Sequence, residues 1–214
     1  MFDFIFKQLN RLYKNEAISG ELRNDWRAYQ YLVVDLEMTA LEIDKGKVIS
    51  VAWMIIEPPF IQLSKAEHFH IKGDIELNQT STIHGVVQAD LADGESLLVI
   101  MEKLKAIAED RILVFHHANL DMAFIEQSMA QANVNFQPKL VLDTMQFEYA
   151  RYSRLGQIPT GLDLATSCKR YNLAEHTEHN ALNDVMATAE LFLAQIASAF
   201  ASDKVSLAKL KGFF

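Results

Sequence analysis

The chain has 214 residues, half of them hydrophobic, and a formal net charge of −8, enough for one core of ordinary domain size. That acidity argues against a protein that grips long duplex nucleic acid through a broad basic surface, because such a grip needs many Lys and Arg contacts to phosphates. A single cysteine, Cys168, excludes an internal disulfide framework, and no apolar run nears the roughly 20 residues that span a bilayer; a cytoplasmic protein with no membrane association is expected.

Residues 1–30 read as an N-terminal helical extension. Phe2, Ile5, Phe6, Leu9, Leu12 and Tyr13 fall near helical spacing, and SGEL breaks the run before a short segment around Trp26. Asp3, Lys7 and Arg11 interrupt the apolar residues, which is wrong for a signal peptide. The extension is expected to pack as a helix on the main domain, with a partner-binding or membrane-touching arm as the less favoured alternative.

YLVVDLEM is an apolar, β-branched run ending in acids. After a turn region at EIDKGK comes a second run, VISVAWMII, closed by the breaker EPPF. The short connection predicts an antiparallel pair. A third strand is expected near EHFHI. Residues 96–108 place Leu97, Ile100, Met101, Leu104 and Ile107 on one helical face, with Asp93 as the expected N-cap. RILVF, DMAFIEQSMAQA and LVLDT then read as strand, helix and strand, hence parallel pairing with helices over the sheet. GLDLATSCKRYNL and ALNDVMATAELFLAQIASAF read as two closing helices. Residues 31–200 are expected to form one α/β domain, followed by a C-terminal tail at 201–214.

Three Asp-x-Glu pairs occur, and two have structural explanations in turns and helix starts. Asp35 and Glu37 differ because they end a run apolar enough for a central strand buried on both faces. Strand residues i and i+2 point the same way, so the two carboxylates stand together. Such a pair repels unless a cation lies between them, and oxygen ligands favour magnesium or manganese over a structural zinc. Asp121 opens one helix and Asp184 lies near the start of the last, where each could simply interact with the helix dipole. If strands 1 and 4 are parallel neighbours, however, Asp35, Glu37 and Asp121 reach the same end of the sheet, where open α/β folds bind ligands. His179 projects from the loop before the last helix and could accept a proton near neutral pH; His176 fits that description equally on spacing alone. Asp143, before Thr144, is read as a strand terminator rather than a ligand.

In this order, D-L-E-M-T, H-H-A-N-L-D and H-N-A-L-N-D resemble the three motifs of the DEDDh 3′–5′ exonucleases, a ribonuclease H-like family that includes the epsilon proofreading subunit of bacterial DNA polymerase III. The resemblance covers about residues 31–198. It implies a mixed five-stranded sheet with strand 2 antiparallel and helices on both faces. It also implies ligation of two divalent cations by Asp35, Glu37 and Asp184, with Asp121 as a further metal-site acid acting through water and His179 as general base. The implied reaction is hydrolysis of a single-stranded DNA or RNA 3′ end to nucleoside 5′-monophosphates, with a polymerase or other protein as a partner through the extension.

Thr39 and His84, the latter in STIHGV, are the candidate substrate contacts. Ala40 stands where many relatives have glycine, His117 where they often have asparagine, and Leu120 where phenylalanine commonly supports the terminal nucleotide; altered stacking or specificity is expected there. DNA in proofreading or repair is the leading substrate setting. RNA end-trimming is the alternative within the same chemistry, and a non-catalytic polymerase-associated module is disfavoured by retention of all five motif residues.

Overall fold

A computed structural model describes residues 21–73, 88–176, 180–201 and 203–214. The strands are β1 (Tyr31–Met38), β2 (Val48–Glu57), β3 (Phe60–His70), β4 (Ile112–Phe115) and β5 (Val141–Asp143). They form one sheet in the order β3-β2-β1-β4-β5. β2 is antiparallel to both neighbours, while β1–β4 and β4–β5 are parallel. The expected mixed sheet, with strand 2 the reversed one, is therefore present.

Alternation along β1 assigns its side chains to two layers. Leu32, Val34, Leu36 and Met38 face a core built with α2 (Leu97–Ala108) and α3 (Ala118–Gln131). Tyr31 and Val33 face a second core with α4 (Thr144–Arg154) and α6 (Ala181–Phe200), where Phe147, Val185, Phe192 and Ile196 are buried. Full burial of each such side chain is worth about 1.5–3 kcal/mol, so both faces of β1 contribute to stability. α1 (Gln88–Ala92), α5 (Leu164–Arg170) and α7 (Leu207–Lys211) complete the described α-helices, and short 3-10 turns cover Glu21–Arg23 and Trp26–Ala28. No described helix is long and apolar enough to cross a membrane.

Several local expectations change. β3 begins at Phe60, directly after Pro58 and Pro59, so the proline pair is the hairpin turn itself rather than a gap before a later strand. The cap of α2 is Ser96, whose side chain accepts from the Val99 amide, and not Asp93. The helix over Thr144–Arg154 had no apolar signature because its inward face carries Glu148 beside Phe147. Tyr171, Arg151, Arg170 and Gln195 all donate to the buried Glu148 carboxylate, which makes a charged residue tolerable in that position.

The segments flanking the central domain pack into it. Trp26 donates its backbone N–H to the Val205 carbonyl at 2.9 Å, and Leu207 donates to Asn24 at 3.0 Å. Trp26, Val205, Leu207 and Leu210 are buried in the α6-side core, and Phe214 lies 4.7 Å from the Phe147 ring centroid. The helix expected over residues 2–13 lies outside the described residues.

Candidate active site

Asp35 and Glu37 occupy the end of β1, opposite Ala52 and Ser50 of β2, just before the register shifts between Glu37 and Met38. Both project to the α6 side of the sheet, on the same alternation as Tyr31 and Val33. Asn180 begins α6 by accepting from the Asn183 amide, while Asp184 N–H donates to the Asn180 carbonyl at 2.9 Å. The apolar face formed by Ala181, Val185, Ala189 and Phe192 lies on the sheet, which brings the first turn of α6 over the end of β1. Asp35, Glu37 and Asp184 thereby each place a carboxylate oxygen within 4.8 Å of the other two.

Asp121 is buried in the first turn of α3 and borders this trio without joining it. It raises the Asp35 pKa electrostatically, as do Asp184 and Glu37, although burial is the largest cause of that rise. Burial first and Asp184 second push Glu37 up to about 8. Asp121 is raised by burial and then by the Asp143 charge. With Asp35 and Glu37 held uncomfortably as anions, the three clustered carboxylates form a donor set suited to hard divalent cations of the magnesium or manganese class, with no thiolate or imidazole among the three.

The start of α3 is organised by Asp143. Its Oδ1 accepts from the His117, Met145 and Gln146 amides, and its Oδ2 accepts from Ala118 at 2.9 Å. One carboxylate thus caps α4 and holds the first residues of α3, the structural role expected for it. His117 adopts φ 93°, in the left-handed region. Asparagine and histidine are both enriched there, so the departure from asparagine meets a backbone requirement. Ala40 is outside the left-handed region, and its alanine needs no special backbone.

His116, unassigned from the sequence, is nearly enclosed. Its Nδ1 pairs with Thr144 Oγ1 at 2.7 Å, and its Nε2 donates to the Leu162 carbonyl at 2.8 Å. Burial holds its pKa below the usual histidine value. The doubled histidine was visible, but no local pattern separates an enclosed ring from the exposed His117 beside it. Thr39 Oγ1 accepts from the Lys47 amide at 3.0 Å, closing the β1–β2 connection. Leu120 is partly buried against the α2–α3 core. His176 Nε2 lies 2.9 Å from Glu190 Oε2 on α6. His84 and His179 fall outside the described residues.

Residues 32–192 match the RNase_T exonuclease family. The PolC-type DNA polymerase III of Mycoplasmopsis pulmonis is 28% identical over 142 residues, covering 63% of this chain and 10% of that protein. The 3′–5′ exonuclease DinG of Staphylococcus haemolyticus is 24% identical over 166 residues, covering 76% of this chain and 18% of the relative. The chain thus spans less than a fifth of either relative's length. Escherichia coli exonuclease I in complex with a dT13 oligonucleotide superposes with a TM-score of 0.67 at 15% identity, over 80% of this chain and 41% of that one. Cell-death related nuclease 4 gives 0.68 at 14% identity, over 83% and 65%. The chain belongs to the DEDD-type exonuclease family of ribonuclease H-like fold.

Proposed function

We propose that this exonuclease hydrolyses single-stranded nucleic acid, DNA foremost, from its 3′ end and releases nucleoside 5′-monophosphates. The observation that carries this reading is the convergence of Asp35, Glu37 and Asp184 within 4.8 Å. Asp35, Glu37 and Asp184 would hold two divalent cations, with Asp121 contributing through water. Bound there, magnesium or manganese would supply Lewis-acid stabilisation and an activated water. His179 takes the proton from the attacking water as general base.

Exonuclease I, a neighbour in fold, was crystallised in complex with single-stranded DNA, which favours a single strand here. A terminal single strand also suits an acidic chain, because base stacking replaces part of the electrostatic grip. The PolC-type relatives favour work at DNA 3′ ends in proofreading or repair, with a polymerase as a candidate partner of the N-terminal segment. The buried free thiol of Cys168 favours a cytoplasmic setting.

The test uses 5′-labelled single-stranded DNA, single-stranded RNA and a duplex with a 3′ mismatch, incubated with magnesium or manganese, with D184A as control. Progressive 3′ shortening of DNA that chelator and D184A both abolish is the expected result. Hydrolysis that proceeds equally in chelator overturns the metal-dependent reading, and faster turnover of RNA than DNA overturns the substrate assignment.

A further inference from the structure

Beside Asp184, between α5 and α6, lies a cavity of about 560 Å³, within the range of small-ligand sites of roughly 300–1,000 Å³. Leu164, Leu173, Cys168 and Ala187 supply apolar wall. His176 lines the same space, and its partner Glu190, 2.9 Å away, fixes one ring nitrogen on α6. The ring keeps 22% of its side-chain surface exposed. At the exposed rim, Lys169 is the lysine or arginine among the described lining residues.

From this geometry we infer that the cavity receives a nucleobase of the remaining strand one nucleotide beyond the nucleoside that carries the scissile 3′ oxygen, so that a dinucleotide lacks it, stacked on the His176 ring, with Lys169 meeting the adjoining phosphate. The inference rests on the proposed hydrolysis of a single strand. A phosphodiester at the carboxylate trio joins two nucleosides, so the two flanks of the trio must accommodate the leaving nucleoside and the remaining strand. Thr39, a candidate substrate contact, directly follows β1, and Leu120, the candidate support of the terminal nucleotide, lies on the α2–α3 core. The cavity lies on the α6 side of the sheet, away from the α2–α3 core that holds Leu120, and is bounded by the trio's own Asp184.

Charge decides which part of the nucleotide enters. Glu175 and Asp184 line the cavity along with Lys169, so the interior disfavours a phosphate but accepts a neutral base against apolar wall and an imidazole face. Stacking on histidine and other rings is a common mode of single-strand binding. It also gives His176 a role different from a general base: the ring is needed as a surface, and its proton is not.

The experiment compares kcat/KM for thymidine pentanucleotide and dinucleotide in the wild type and in His176→Ala, His176→Phe and Lys169→Glu, with magnesium. Circular dichroism and thermal melts of each variant check the fold. Loss of one stacked base corresponds to about a tenfold effect. His176→Ala is therefore expected to lower the pentamer-to-dimer ratio about tenfold, Lys169→Glu to lower it as well, and His176→Phe to restore most of it. An unchanged ratio in folded His176→Ala and Lys169→Glu overturns the inference, and so does equal loss of both substrates in His176→Ala and His176→Phe. If the wild type cleaves neither substrate, the hydrolysis reading fails instead. Anisotropy of labelled pentamer in calcium then decides the subsite: His176→Ala must weaken binding about tenfold and His176→Phe must not.

Discussion

Asp35, on the central strand, and Asp184, in the first turn of the last long helix, hold carboxylate oxygens within 4.8 Å of each other. Asp184 raises the cost of ionising its neighbours, pushing up both Asp35 and Glu37 after burial has done so. Folding therefore assembles a repulsive cluster that a divalent cation would neutralise, which would tie metal binding, stability and chemistry to the same residues.

Asp184→Asn keeps the shape of the side chain and removes one charge. Hydrolysis of single-stranded DNA is expected to fall by more than about a hundredfold, the upper end of what loss of even an outer-shell metal partner costs. The magnesium-induced rise in melting temperature should shrink at the same time. Single-turnover assays and thermal melts check the pair of effects; full activity in Asp184→Asn would remove this acid from the metal site.

In chelator, stability should depend on pH with a definite sign. Glu37 has its folded pKa raised from 4.5 to about 8. Below 4.5 it is protonated in both states, and its contribution is fully present. Between 4.5 and about 8 the unfolded chain releases the proton more readily than the folded one, so stability is lost as pH rises through that window. The metal-free melting temperature should fall from pH 5 to pH 8, and Glu37→Gln should flatten the decline. A profile that rises over this range in the wild type and falls in Glu37→Gln would contradict the assignment.

Asp143 offers a test of how the site is held. Its carboxylate receives four backbone N–H groups from two helix starts. Asp143→Ala is expected to destabilise the protein by about 2–4 kcal/mol, since loss of a cap costs about 1 and further buried donors are left unmade. Activity should fall too, because Asp121 rides on the helix that this carboxylate anchors. Urea unfolding measures the first effect, and a change under about 0.5 kcal/mol, the range of ordinary surface substitutions, would refute it.

Gly46 sits where the β1–β2 connection passes close to its own start. A Cβ there would lie 2.2 Å from the Ala40 carbonyl oxygen and 2.7 Å from the Phe124 ring. Gly46→Ala should cost about 1–3 kcal/mol, the range for overpacking. Gly156 has φ 65° but nothing within 4 Å, so Gly156→Ala should cost only the left-handed backbone penalty of about 1–2 kcal/mol. Paired denaturation curves compare them, and the prediction fails if Gly46→Ala unfolds at the wild-type midpoint.

Much of the site was legible because its signals are local. YLVVDLE states by itself a buried strand that ends in two acids on one face, and HNALND states a loop entering a helix with an acid in its first turn. The helix over Thr144–Arg154 was not legible: its buried Glu148 interrupts the apolar period, and the groups that stabilise it come from Tyr171, Arg170 and Gln195, far along the chain. Packing of Trp26 against Val205 and Leu207 was hidden for the same reason, since a segment does not declare which distant segment will cover it.

The order of acids, the strand and helix periods behind them and the family they resemble can all be read along the chain, because each is written in residues close together. The grouping of Asp35, Glu37 and Asp184 as the tight trio with Asp121 beside it, the left-handed backbone at His117 and the turn of His176 to Glu190 emerge from the folded molecule instead. Those outcomes depend on helix placement over the sheet to within an ångström or so, and only the packing of both cores sets that placement.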